Sequence, residues 1–396
     1  MSGTALLCLM VFCNTFSIGG FNPLLPEIGR RQGLADWELG LLAGTFGFAR
    51  MCGAIPSGWL AGRRLAAALG LSPAFLALGL ALVATAGPFP VLLAGRFCMG
   101  LGHTLGTVSA LTAILLDDRG ANASVRLNTF EFAGMAGILA AVALVGSLPA
   151  TWAWNASFAV TASPLLAVVL LLPAMRRHFG HVALDAPAAV APTATLAVRR
   201  AEARPVPPIV VAMFVVGILL ALTWSSVSQF LLPLRGTREF GLSRGGLAWL
   251  FAVAQVVDLL ALLPVGRCAD RLGRVVVLGV VTAVMGLGTV AVGLGGLPLF
   301  VAGCAAFGFG LAGWMLPLGV IREHTSRARL GWRTGCYRVG VDASVFLGPL
   351  VSGLLGARGA AVFVAAVGVL ALAAGVALLM RPALLVRPPV LASREP

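Results

Sequence analysis

A chain of 396 residues that is 59% hydrophobic and 11% charged leaves too little polar surface for a water-soluble globule, because soluble domains carry roughly 25% charged residues. Its mean hydropathy of +0.98 points to the bilayer as solvent. All 28 basic residues behind the net charge of +14 are arginine; without lysine there is no Walker-type ATPase site and no Schiff base.

In chain order, the apolar run 5–27 opens the sequence with no basic segment before it, and reads as a membrane helix rather than a cleaved signal. It carries Asn14 and Asn22, with Glu27 near its outer end. Runs follow near 38–60 (with Arg50), 66–86, 90–116 (with Arg96 and His103), 127–149 (with Glu131) and 155–175. The segment 176–207 is polar, arginine-bearing and Pro/Ala-rich, which predicts a flexible cytoplasmic linker. A second set lies near 208–234 (with Trp224, Ser225, Ser228 and Gln229), 244–266 (with Asp258), 275–296, 298–321, 334–356 (with Arg338 and Asp342) and 359–380, before a tail at 381–396. The expected fold is therefore all-α, with twelve transmembrane helices in two six-helix bundles, 1–175 and 208–380. The seven cysteines lie in or beside apolar runs without metal-ligand spacing and read as buried hydrophobes. No metal or cofactor is expected.

A pI of 11.3 would suit a nucleic-acid binder, but the arginines alternate between loops. Those after even-numbered helices, with the tail, hold 19; those after odd-numbered helices hold six. Positive loops stay cytoplasmic, which places both termini and the linker inside. Shifting the chain by 208 residues lays Pro56-Ser57-Gly58 on Pro264-Val265-Gly266, each at the end of its set's second helix and each followed by arginines. Two halves of the same topology follow the parallel-repeat plan, with a pseudo-two-fold axis along the membrane normal.

Gly266-Arg267-Cys268-Ala269-Asp270-Arg271-Leu272-Gly273-Arg274 resembles the G-x-x-x-D-R-x-G-R signature of the major facilitator superfamily, found between the second and third helices of a half. The resemblance implies a tight cytoplasmic turn that latches one conformation, through Gly266, Asp270, Arg271, Gly273 and Arg274. The first-half copy, Gly58 to Arg64, has Gly62 where the family has aspartate, so its latch is weaker or relies on Asp117 and Asp118. Arg96 followed by Gly100 and Gly102 is similar to the family's fourth-helix pattern, which assigns Arg96 a structural role. Trp152-Ala153-Trp154-Asn155 resembles its aromatic entry to the sixth helix. Gly348-Pro349 on helix 11 resembles an element that proton-driven drug antiporters carry on helix 5, where this chain has Gly134 and Gly137 and no proline.

A charge at mid-bilayer costs roughly 2.5–3.5 kcal/mol on insertion scales, so such residues face a cavity or a partner. Arg50 aligns with Asp258 at the 208 shift, and Glu131 with Arg338 at 207. In the family helices 2 and 11 pack across the interface between halves, as do 5 and 8. That arrangement implies an Arg50–Asp342 interface pair near Arg338, with Glu131 and Asp258 on the opposite wall. Two acids there without a basic neighbour resist double ionisation and are the expected proton carriers. His103 reads as a packing histidine or a titrating cavity residue. Asn14, Asn22, Trp224, Ser225, Ser228 and Gln229 are candidate cavity contacts.

The resemblance implies a monomeric secondary transporter working by alternating access, and the absence of lysine, a mark of GC-rich coding, points to a bacterial inner membrane. Its partners would be a small-molecule substrate, the proton and lipid, not nucleic acid. Proton-coupled efflux of a lipophilic or cationic molecule is the first reading, and proton-coupled transport of a small organic anion, held by Arg50 and Arg338, the second. No enzyme is expected, for want of a metal cluster or nucleophile elbow. No sensor is expected, for want of a soluble output domain.

Overall fold

The computed structural model describes residues 2–116, 123–179 and 206–380. Asp117, Asp118, most of the 176–207 linker and the 381–396 tail lie outside the described residues. Among those described there are helices and turns but no strand. In lipid every backbone N–H and C=O needs an internal partner, which the helix provides.

Among the described residues, eleven helical stretches are long and apolar enough to cross a membrane. The last, Trp332–Met380, has 49 residues and at 1.5 Å per residue spans about 74 Å, more than twice a hydrocarbon core. It is two crossings, because Gly356 breaks it at φ +69°, a left-handed conformation that glycine adopts without strain. Twelve crossings result, as the apolar runs predict.

We number them α1 (Gly3–Gly19 then Phe21–Gln32), α2 (Asp36–Arg63), α3 (Leu65–Ala84), α4 (Phe89–Leu116), α5 (Ala123–Ser147) and α6 (Trp154–Val160 then Ser163–Phe179) in the first half. The second half has α7 (Pro208–Ser226, a π-helical turn Val227–Leu231, then Leu232–Arg238), α8 (Arg244–Leu272), α9 (Arg274–Leu294) and α10 (Leu297–Leu311 then Leu316–Glu323). It ends with α11 (327–355) and α12 (357–380). We call the side on which α1 begins the near face and the opposite side the far face.

The halves meet where α2 packs on α11 and α5 on α8. Lipid supplies no hydrophobic drive between helices, so their association rests on close packing of small residues. A Cβ on Gly44 would come 2.5 Å from the carbonyl oxygen of Phe346, and one on Gly47 2.6 Å from its amide nitrogen. Gly40 meets the backbone of Pro349 and Gly353 in the same way. The helices run antiparallel, so this glycine row closes the seam from the far face down to mid-membrane. On α5 and α8, Gly146 lies against Ala248. Toward the near face, Gly58 of α2, Gly266 of α8 and Gly335 of α11 have no neighbouring heavy atom within 4 Å of an added Cβ. Trp59 and Trp332 are 57% and 79% exposed there. The two halves are therefore closed together at the far face and parted at the near face.

Candidate functional site

The seam ends in charge. Arg50 lies 14 residues into α2, about 21 Å from its far end and so near mid-bilayer. Its Nη2 is 2.7 Å from Asp342 Oδ1 of α11. The contact is not aligned as a hydrogen bond, and both oxygens of the buried Asp342 lack a hydrogen-bond donor. Arg338 is one turn away on the same face of α11 and within electrostatic reach of Arg50, Asp342 and Glu131. His103 of α4 packs its ring on Phe46, centroids 5.4 Å apart, and feels Arg50, Arg338 and Arg96. A half-buried histidine among three guanidiniums marks an arginine-rich wall, with Asp342 and Glu131 beside two of the three.

Glu131 of α5 and Asp258 of α8 are within electrostatic reach of one another across the interface between halves. Asp258 is 2% exposed. It accepts a 3.2 Å hydrogen bond from Gln255 Nε2 at one oxygen, while the other has no partner. Gln255 Nε2 also lies 3.3 Å from Met135 Sδ of α5, tying the acid's support to the other half. One expectation changes: Glu131 does have basic neighbours, Arg338 and then Arg50. The two walls therefore form one cluster that spans both halves.

The far-face closure holds charges that the sequence sets at or just beyond the ends of spans. Arg244, which opens the apolar run 244–266, is the first residue of α8, and its side chain is buried. It makes a two-pronged ion pair with Glu27 of α1, Nε to Oε1 at 2.7 Å and Nη2 to Oε2 at 2.6 Å. It also donates to Ser157 Oγ at 2.8 Å and to the carbonyl of Trp152 at 3.0 Å. Beside it, Arg238 of α7 pairs with Asp36 of α2 at 2.7 Å. The bridges α1–α8 and α7–α2 are equivalent under the pseudo-two-fold axis, with both acids on the first half and both guanidiniums on the second. A signal was available, since Asp36 and Arg244 fall on each other at the 208 shift.

The first helix of each half is interrupted at an equivalent depth. The run of α1 stops at Gly19 and resumes at Phe21. In α7, Pro233 has no N–H to give the carbonyl four residues back, and Val227–Leu231 forms a π turn closed by the Leu232 N–H on the Val227 carbonyl. Gln229 lies within that turn, 1% exposed, with neither amide atom bonded. Asn22 follows the α1 break with a buried, unbonded Oδ1.

Other candidates are engaged in packing. Asn14 donates to Ser72 Oγ at 3.0 Å, which donates to the Gly102 carbonyl at 2.8 Å, joining α1, α3 and α4. Ser225 donates to the Ser344 carbonyl of α11 at 3.0 Å, and Ser228 to the carbonyl of Trp224 on its own helix. Trp224 meets Trp314 of α10 edge to face, 5.9 Å between centroids. An apolar groove of about 420 Å³ between α2, α4 and α11, lined by Leu41, Phe48, Leu93, Phe97 and Phe346, carries none of these charges.

The signature stretch differs from its expected turn. Gly266, Asp270 and Arg271 belong to α8, whose helix runs to Leu272, and only Gly273, at φ +94°, makes the turn. Apolar α8 residues continue past Gly266, so the helical ladder has no reason to stop there. Asp270 is exposed without a partner among the described residues, and Arg274 pairs with Glu323 at the end of α10, 2.8 Å away.

Comparison with known proteins agrees with this architecture. The family model described as Major Facilitator Superfamily matches residues 7–236 and 209–395. The chain belongs to the major facilitator superfamily. It is an integral membrane transporter and not an enzyme. A crystal structure of the nucleoside transporter NupG is similar over 95% of this chain and 100% of its own, with TM-score 0.75 and 14% identity. A peptide transporter POT in complex with alafosfalin is similar over 98% and 96%, with TM-score 0.78 and 15% identity. A POT family transporter in complex with 5-aminolevulinic acid matches 96% of each chain at TM-score 0.75 and 14% identity. Such identities establish the fold alone. No curated protein sequence matches the chain.

Proposed function

We propose that this transporter couples a proton to the movement of a small organic anion by alternating access, and that Glu131 and Asp258 carry the proton. The observation that carries the reading is that the half-buried Glu131 and the buried Asp258 lie within electrostatic reach of each other across the interface between halves. Like charges so placed hold one proton between them in preference to two negative charges, and rocking of the halves changes their separation. Of the two substrate classes left open by the sequence, the charge of the site favours the anion over a lipophilic cation. Arg50, Arg338 and Arg96 surround His103, and a cationic substrate would meet them first. With the arginine-rich near face in the cytoplasm, the described state is open inward, and the Glu27–Arg244 and Asp36–Arg238 bridges hold it closed outward. The exposed Asp270 is then a released near-face latch that engages when that side closes. A monomer in a bacterial inner membrane suffices for this cycle.

The test is proton exchange by the detergent-purified protein on adding acetate, succinate or a lipophilic cation. Uptake of a proton with an anion, lost in Glu131→Gln and Asp258→Asn, supports the reading. Proton release on adding the cation would support antiport of the efflux type instead. Silence toward both would contradict proton coupling at this pair.

A further inference from the structure

Arg96 stands apart from the other intramembrane cations. It is 3% exposed, about 10 Å into the membrane from the far end of α4. Its guanidinium lies between two aromatic faces, 3.9 Å from the centroid of Phe21 on α1 and 4.6 Å from that of Phe46 on α2. Arg50 has Asp342 beside it, and Arg338 has Asp342 and Glu131. No described acid lies within electrostatic reach of Arg96, and no described group accepts a hydrogen bond from it. Its Nε is sealed from solvent, whereas the two terminal nitrogens, equally unbonded, keep the little surface that the residue exposes. A fully structural buried arginine would spend its five N–H donors on carbonyls or a carboxylate. Here the ring faces fix the plane of the fork and leave its tip free.

We infer that the Arg96 fork, clamped between Phe21 and Phe46, is the seat of the substrate's anionic group, a carboxylate or phosphate that supplies the missing acceptor oxygens. A guanidinium held in one plane suits two-pronged recognition of such a group. Phe21 opens the second segment of α1 just after its break, and Phe46 sits one turn above Arg50 and against His103. An anion bound at Arg96 therefore touches the side chains that move when α1 and α2 rock, and lies beside the arginine-rich wall that ends at Glu131. The inference rests on the proposed anion reading and names the residue that binds, where the family's fourth-helix pattern implies only structure.

Anion binding is read by thermal unfolding of the detergent-purified full chain in acetate, succinate or inorganic phosphate, against chloride at equal ionic strength. The wild type is expected to gain several degrees in at least one of the three, since a ligand that binds only the folded state raises its midpoint. Arg96→Met is expected to lose that gain while keeping or raising the midpoint in chloride, because it removes an uncompensated buried charge. Arg96→Lys keeps the charge without the fork, and should bind at least about tenfold more weakly. A wild type that responds to none of the anions overturns the inference, and so does an undiminished gain in Arg96→Met. Should the Met variant fail to fold, an undiminished affinity in Arg96→Lys overturns it equally. The coupling reading fails separately: if Glu131→Gln exchanges protons as the wild type does while the Arg96-dependent gain stands, the seat survives and the acid pair does not.

Discussion

The far-face seam and the mid-membrane cluster use the same residue types to opposite ends. At the seam, Arg244 is saturated: a two-pronged carboxylate, a hydroxyl and two carbonyls occupy its five donors. Glycines there bring backbones into direct contact at Gly40, Gly44 and Gly47. Farther from the far face than Arg244, Asp342, Asp258 and Arg96 are equally buried yet keep oxygens or nitrogens without hydrogen-bond partners. A buried polar group left unmade costs roughly 1–3 kcal/mol, so a chain that satisfies Arg244 in full and leaves Arg96 unmet is using the two differently. The satisfied charges hold one conformation, and the unsatisfied ones wait for a proton, an anion or the other conformation.

The largest effect is expected from breaking the saturated side. Removing one partner of a buried ion pair costs roughly 3–5 kcal/mol, so Arg244→Ala or Glu27→Gln should shift the population strongly toward a far-open state. Accessibility of a far-face cysteine to an impermeant thiol reagent reads it, and unchanged accessibility would mean that the bridge is ornamental. A step smaller, Gly44→Val drives its side chain into the Phe346 carbonyl. Overpacking costs typically 1–3 kcal/mol, about 5- to 150-fold in population, and transport should fall with far-face closure. Gly266→Val, where nothing is near, should leave far-face closure untouched.

On the unsatisfied side the sign reverses. Gln229→Leu removes two unbonded buried polar atoms and should stabilise the fold by about 1 kcal/mol, raising the melting midpoint while lowering transport. A drop in midpoint would show that Gln229 is bonded in the protein as it works. The smallest effect belongs to the far-face surface. There a hydrogen bond from Arg235 holds the Glu239 carboxyl below the usual carboxylate range. A depressed acid contributes stability that is present above its unfolded pKa and lost as pH falls through the folded one. Glu239→Gln should therefore remove a slight stabilisation at neutral pH and none in strong acid, as the pH dependence of the midpoint will show. Half exposed, the pair is worth little.

Twelve crossings were legible in the sequence because an apolar run of membrane length has few alternatives in water or lipid. The Arg50–Asp342 approach was legible because the repeat and the family arrangement fixed which helices face each other. What stayed hidden depended on rotation about a helix axis and on end effects. Glu27 and Arg244 read as residues at span edges, and only the packed fold shows both turned inward. The π turn at Val227–Leu231 follows from Pro233, yet a proline can equally kink or end a helix. Gly266 to Arg271 read as a turn because glycine and charge cluster there, whereas the helix carries them to Leu272 with Arg267, Asp270 and Arg271 in the open. Arg96 read as structural from its pattern, and its missing acceptor could only be seen once every neighbour was placed.

The central claim, that protonation of the Glu131–Asp258 pair is linked to opening of the far-face seam, can be measured without knowing the substrate. Spin labels at Arg31 and Glu239, in a background with the seven native cysteines replaced, report the far-face distance between halves by pulsed electron resonance as a function of pH. The account predicts a distance distribution that shifts with pH in the wild type and is fixed, whatever the pH, in the Glu131→Gln, Asp258→Asn double variant. A pH-dependent shift that persists in that variant would place the coupling elsewhere and contradict the account.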